Sequence, residues 1–149
     1  MVANDIASHD VTVIVTPMTN LPTFQSLGAR YENAAHLHGA GVNVIIASFD
    51  AHNARNIKQA AGTAVSYGMP HAAALRAVTA APAALWGLDD YGTLERGKVA
   101  DVVVWSDDPF EVTSYAEHVL IDGIEISAMT RQRALFEKYP SLDRLPPWR

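Results

Sequence analysis

The chain predicts an α/β fold built on parallel strands with helical crossovers, followed by a smaller antiparallel β unit. Three observations predict it. Residues 11–15 (VTVIV) and 42–47 (VNVIIA) are apolar and β-branched, the pattern of strands buried on both faces. Segments of helical periodicity separate and follow them, and a strand–helix–strand–helix order implies parallel pairing. Past Gly87 the text turns strand-like, and VLIDGIEI places two apolar runs around Asp122-Gly123, the dipeptide favoured in a type I′ hairpin turn. The expected division is residues 1–90 for the parallel portion and 91–149 for the β unit with a terminal helix.

In chain order, the first strand stops at Thr16-Pro17, and a polar loop, MTNLPTFQSLG, follows. ARYENAAHLHGAG reads as a helix with Ala34, Ala35 and Leu37 on one stripe and Gly39 or Gly41 as its stop. After the second strand, ARNIKQAAGTAVSYG is a helix closed by Gly68. Pro70 suits the first turn of the next helix, which carries Ala74, Leu75 and Val78. TAAPAALWG is a short helix with Thr79 as N-cap and Gly87 beyond its end. The β unit spans roughly residues 92–127, with a strand at 102–105, and Thr130 caps a last helix, RQRALFEKY.

With 149 residues the chain is long enough for a real core, and at 49% hydrophobic it folds rather than staying disordered. A formal charge of −5 with no basic cluster speaks against nucleic acid. No apolar run is long enough to cross a bilayer, and MVANDIASHD lacks the charged-then-apolar order of a signal peptide. There is no cysteine, so disulfides and thiolate metal sites are excluded and any metal must use His, Asp or Glu. A cytoplasmic setting without membrane contact fits this composition.

Asp50 stands where the second strand should end, with His52 and Asn53 directly after it. Residues at the carboxyl ends of parallel strands face the ligand side of α/β folds, where a carboxylate can bind a divalent metal and take a proton from water. The competing role for Asp50 is a bond to backbone amides of the following loop or helix. His52 and Asn53 are candidates to touch substrate or orient the carboxylate, or are simply polar loop residues. His36 and His38 sit in a helical stretch, where positions i and i+2 diverge by about 200°, so they do not chelate one ion together. His71 is expected to face solvent, His9 and His118 have no cluster around them, and Ser48 lacks a nucleophile-elbow context. Arg131, Arg133, Lys138, Arg144 and Arg149 are interleaved with aromatics but diluted by Glu137 and Asp143, which favours a helix packed on its own domain.

Three stretches together carry a family resemblance: GVNVIIASFDAHNARN, then AAALRAVTAAPAALWGL, then GTLERGKVADVVVWSDDPFEV. In this order they resemble the carboxyl-terminal portion of the metal-dependent amidohydrolase superfamily, most closely its imidazolonepropionase-like members. TPMTNLP and YENAAHLHGAGV extend the likeness upstream, so only the first ten residues and about the last fifteen fall outside it. The resemblance implies a (β/α)8 TIM barrel beside a small β-sandwich, with this chain supplying the last two β/α units and part of the sandwich: an incomplete barrel. It implies that Asp50 is the aspartate after the last barrel strand, a ligand of the catalytic Zn2+ or another divalent metal and a proton shuttle in hydrolysis of a non-peptide carbon–nitrogen bond. The family's His-x-His, its mid-barrel bridging ligand and its two later histidines have no counterpart here.

That deficit has consequences. Zinc needs three or four protein ligands, whereas Asp50 and His52 offer two at most. A complete barrel takes about 250 residues. Two barrel strands alone leave open edges and an uncovered inner face. The chain is therefore expected to form a homo-oligomer or to join a complementing chain, and to act on a small-molecule substrate only where the site is completed. A non-catalytic module acting in binding or assembly is the alternative, and a metal site built from His36 or His52 of several copies is a third.

Overall fold

The computed structural model describes residues 2–49, 51–127 and 129–139. The apolar runs form β1 (Val13–Val15) and β2 (Val44–Ile46), each shorter than its apolar text. They pair in parallel, Val13 opposite Val44, Ile14 opposite Ile45 and Val15 opposite Ile46. A parallel pair cannot be closed by a tight turn, so the chain returns through a crossover carrying α2 (Asn33–Gly39). Gly41 ends that helix with φ +87°, a conformation that costs glycine nothing. Leu37 accepts the Val42 amide at 3.0 Å, which aims the chain straight into β2.

Three helices follow β2: α3 (Ile57–Ser66), α4 (His71–Val78) and α5 (Ala80–Leu85). All three, with α2, touch β2. Their buried positions are mostly alanine, namely Ala60, Ala61, Ala64, Ala74, Ala77 and Ala81, so the helices approach closely around Leu37, Val44, Ile46 and Met69. β2 is buried on both faces, Ile45 as fully as its neighbours, so the expected uncovered inner face is not found there; β1 is half-buried throughout. Small side chains let this single chain close over β2 where larger ones would hold the helices away.

Two helix-start expectations need correction. Pro70 precedes α4 as its capping residue rather than opening its first turn. Thr79 makes no side-chain cap for α5; its hydroxyl instead donates back to the Leu75 carbonyl at 2.8 Å. The amino-terminal α1 (Val2–Ser8) was not anticipated, because VANDIAS carries too little apolar periodicity to announce a helix. Ala3, Ile6 and Ala7 nonetheless pack against the core.

The β unit is a three-stranded antiparallel sheet of β3 (Val102–Trp105), β4 (Ala116–Ile121) and β5 (Ile124–Glu125), in that order. Asp122 and Gly123 both take positive φ, 51° and 75°, as a type I′ turn requires. Asp101 stabilises the turn by accepting the Asp122 amide at 2.8 Å, and Ala100 accepts the Gly123 amide at 3.0 Å. Gly92 (φ +84°) lies against the α4–α5 junction, where an added Cβ would come within 2.8 Å of the Thr79 carbonyl oxygen and the Ala80 Cα. A last helix, α6 (Arg131–Lys138), is capped as expected: the Thr130 hydroxyl accepts the Arg133 amide at 3.1 Å.

The two portions are fastened through the 105–114 segment. Lys58 of α3 donates from Nζ to the Glu111 carbonyl (3.0 Å), the Ser114 carbonyl (2.6 Å) and the Ser114 hydroxyl (3.2 Å), and sits 5.3 Å from the Trp105 ring centroid. One turn further along α3, Gly62 faces the Phe110 carbonyl so closely that a Cβ would lie 2.7 Å from that oxygen. We expect Gly62→Ala to destabilise the fold by about 1–3 kcal/mol, since backbone rather than a flexible side chain must yield; urea unfolding of the variant beside the wild type measures it, and equal stability would contradict the contact.

Candidate active-site end of the parallel strands

At the carboxyl ends of β1 and β2 the chain makes two short 3-10 turns. Pro17–Thr19 follows β1, with Pro17 buried and the Thr16 and Thr19 hydroxyls 3.2 Å apart. Ala47 closes the other side, donating its amide to the Val15 carbonyl at 2.9 Å. Ala51–Asn56 is the second turn, and it leads directly into α3. α3 packs against both turns, so one helix fixes both loops.

Asp50, the central candidate, lies outside the described residues. In the sequence it falls between Phe49 and Ala51, after the end of β2 at Ile46. His52 and Asn53 are on the 3-10 turn, with Asn53 Nδ2 3.3 Å from His52 Nε2. Phe49, not singled out from the sequence, takes φ +53°. For a bulky residue the left-handed region costs roughly 1–2 kcal/mol, and strain of this kind gathers where a backbone is held for function. No sequence signal marks Phe49, because nothing in its neighbours demands that conformation.

The other histidines are dispersed. His36 and His38 are on α2, outside this end, as their helical context implied. His71 is exposed, as expected, and its Nε2 is also 3.0 Å from Asp108, with its ring 4.7 Å from that of Phe110. That hydrogen bond, then the Phe110 amide, hold the Asp108 carboxyl below its ordinary pKa. Among the described residues His118 has no cluster around it but does have one partner: Nδ1 is 2.6 Å from Glu125 across the β4–β5 pair, and this bond raises its pKa. Both partners lie far from their histidines in sequence or across a hairpin, so a local scan does not find them. Among the described residues no three His, Asp or Glu side chains group closely enough to hold a metal ion. Among them, too, no helix is long and apolar enough to cross a membrane.

A cavity of about 620 Å³ opens at the opposite end of the strands, lined by Asp10, Thr12, His38, Asn43, Arg76 and Leu85 among others. Thr12 and Asn43 precede β1 and β2, so this cavity is not where the strand-end loops gather.

Residues 46–126, more than half the chain, match the model of an amidohydrolase family. The chain belongs to that family. It is 40% identical over 72 residues to the amidohydrolase tasK of Hapsidospora irregularis, a stretch covering 48% of this chain and 7% of that one. Its fold is similar to the crystal structure of an amidohydrolase from Thermotoga maritima, with a TM-score of 0.76 at 32% identity, over 85% of this chain and 34% of that one. The chain thus spans about a third of its structural relative and far less of the other.

The two histidine pairs give opposite pH signatures. His118 has a raised folded pKa, so its contribution to stability is full below 6.5 and is lost as pH rises through the folded value. Asp108 has a lowered one, so its contribution is full above 3.8 and is lost as pH falls through the folded value. We expect His118→Gln to lower the melting temperature modestly at pH 5.5 and not at pH 9, and Asp108→Asn to lower it at pH 6 with the difference closing in strong acid. Thermal melts across pH check both, and parallel curves for variant and wild type would refute the pairing.

Proposed function

We propose that this chain supplies the last two β/α units of a (β/α)8 barrel and part of the adjoining β-sandwich in a metal-dependent hydrolase of non-peptide carbon–nitrogen bonds. Residues 1–90 are the barrel portion and 91–149 the small β unit. The supporting observation is one of position. The family match begins at residue 46, the last residue of β2, and takes in Asp50, His52 and Asn53 in the loop that follows a strand paired in parallel. In α/β barrels that is the end where substrates are converted.

In this reading Asp50 is both metal ligand and proton carrier. Water adds to the substrate's carbonyl or amidine-like carbon, the Asp50 carboxylate takes the water's proton, and the departing nitrogen receives it as the C–N bond breaks. His52 and Asn53 contact the substrate, and the strained Phe49 sets the path of the backbone into Asp50. Amidohydrolases generally use divalent metals, and Zn2+ is the ion this donor chemistry suits, lowering the pKa of water where it is bound. Asp50 and His52 supply two of the donors such a site needs, and among the described residues no three His, Asp or Glu side chains group around one point. The remaining ligands lie outside these residues, and a complementing chain or another copy is one source of them. A cytoplasmic setting suits a chain without cysteine.

Exposed apolar surface supports that dependence on a partner. Phe24, Leu27, Phe49, Leu94, Val112 and Phe136 are each more than two-thirds exposed. Val103 and Val104, adjacent on β3 and so on opposite faces, are 42% and 43% exposed, so neither face of that strand is well covered. We expect sedimentation of the purified chain to show a dimer or larger species, and a monodisperse monomer would count against a partner-dependent state.

For the chemistry, we expect little divalent metal on the chain alone. Co-expression with a polypeptide carrying the missing histidines should yield stoichiometric metal and hydrolysis. Asp50→Asn in that assembly should lower kcat by about 10²–10⁴-fold. Full activity in Asp50→Asn would remove Asp50 from the mechanism; a stable assembly with neither metal nor turnover would favour a non-catalytic binding module.

A further inference from the structure

The cavity at the amino-terminal end of the strands opens to solvent and has a hydrogen-bonded polar side that includes the exposed Arg76. Arg76 of α4 donates from Nη1 to the Asn43 side-chain oxygen at 3.0 Å. Asn43 in turn donates from Nδ2 to the Thr12 hydroxyl at 2.9 Å, and its backbone carbonyl accepts the Val13 amide at 2.9 Å. Three segments distant in sequence thus hold one guanidinium in place through a neutral amide. Arg76 forms no ion pair among the described residues, and most of its five N–H donors stay uncommitted.

Asp10 lines the same cavity, and its carboxylate has no hydrogen bond or ion pair among the described residues. Its backbone, at φ +53°, turns there directly after α1. The ring of His38 is likewise without a hydrogen bond among those residues. A cation and a carboxylate therefore line one cavity without neutralising each other. Val42, Ala84 and Leu85 give that cavity an apolar side. His38, Val42 and Arg76 also line a smaller adjoining cavity of about 260 Å³, floored by Val44, Met69 and Ala73.

We infer that this cleft binds a small zwitterion, an aliphatic α-amino acid or close analogue. Arg76 takes the carboxylate, Asp10 takes the ammonium, and the apolar wall takes the side chain. A simple anion would meet Arg76 but also the Asp10 carboxylate; a simple amine would meet the reverse. Only a ligand bearing both charges satisfies both groups, and the volume lies within the range of small-molecule sites. The site is at the opposite end of the strands from Asp50 and does not rest on the hydrolase reading.

The test is calorimetric titration of the whole chain with L-leucine, with 4-methylpentanoate, which lacks the amine, and with 3-methylbutylamine, which lacks the carboxylate. Leucine should bind at least tenfold tighter than either. Arg76→Gln should weaken leucine and the acid but leave the amine unchanged. Asp10→Asn should weaken leucine and the amine but leave the acid unchanged; asparagine tolerates the left-handed backbone at this position, so this variant reports even where Arg76→Gln fails to fold. Asp50→Asn should bind leucine as the wild type does. Leucine binding no tighter than the two truncated probes, or unaltered in Asp10→Asn, would overturn the assignment.

Discussion

Val13–Val15 on Val44–Ile46 is a three-residue parallel ladder, and it constrains nearly everything else in the molecule. Parallel strands point the same way, so their connecting loops gather at two chemically different ends, and the chain must travel back between them. α2 makes that return, and the helices after β2 close over it. Because those helices meet the strand through alanines, one short strand is sealed on both faces by its own chain. The strand ends are thereby held against a packed layer, which fixes where the loop after β2 begins.

The two ends differ in how they are made. At the carboxyl end, α3 braces both 3-10 turns, and Phe49 stands in a left-handed conformation just before Asp50. At the amino-terminal end, Thr12, Asn43 and Arg76 are linked side chain to side chain. The first arrangement positions backbone. The second positions a charge, which suits recognition.

The stretch GTLERGKVAD carries much of the family resemblance, yet its residues act in packing. Gly92 gives the backbone close approach to the α4–α5 junction, and Asp101 holds the hairpin turn. Lys98 donates to the Asp89 carbonyl, tying the two sides of this connection together. Lys58 and Gly62 then dock the 105–114 segment on α3. A family signature here records how a β unit is fastened to a helical layer.

Local physics made much of this legible beforehand. The β-branched runs, the Asp122-Gly123 turn, the Thr130 cap and the glycine stops are dictated by neighbours within a few positions, and each formed as its residues required. The resemblance carried by three ordered stretches indicated the amidohydrolase family for the same reason: it is a property of sequence order. What the sequence could not show involves partners far apart along the chain. The His71–Asp108 contact spans 37 residues, and Arg76 meets Asn43 across 33. Thr79 turned its hydroxyl back to α4 instead of capping α5, and α1 formed without apolar periodicity because the core received its Ile6. Such choices are made by packing and by which charges end up adjacent, quantities that exist only once the helices have closed on β2.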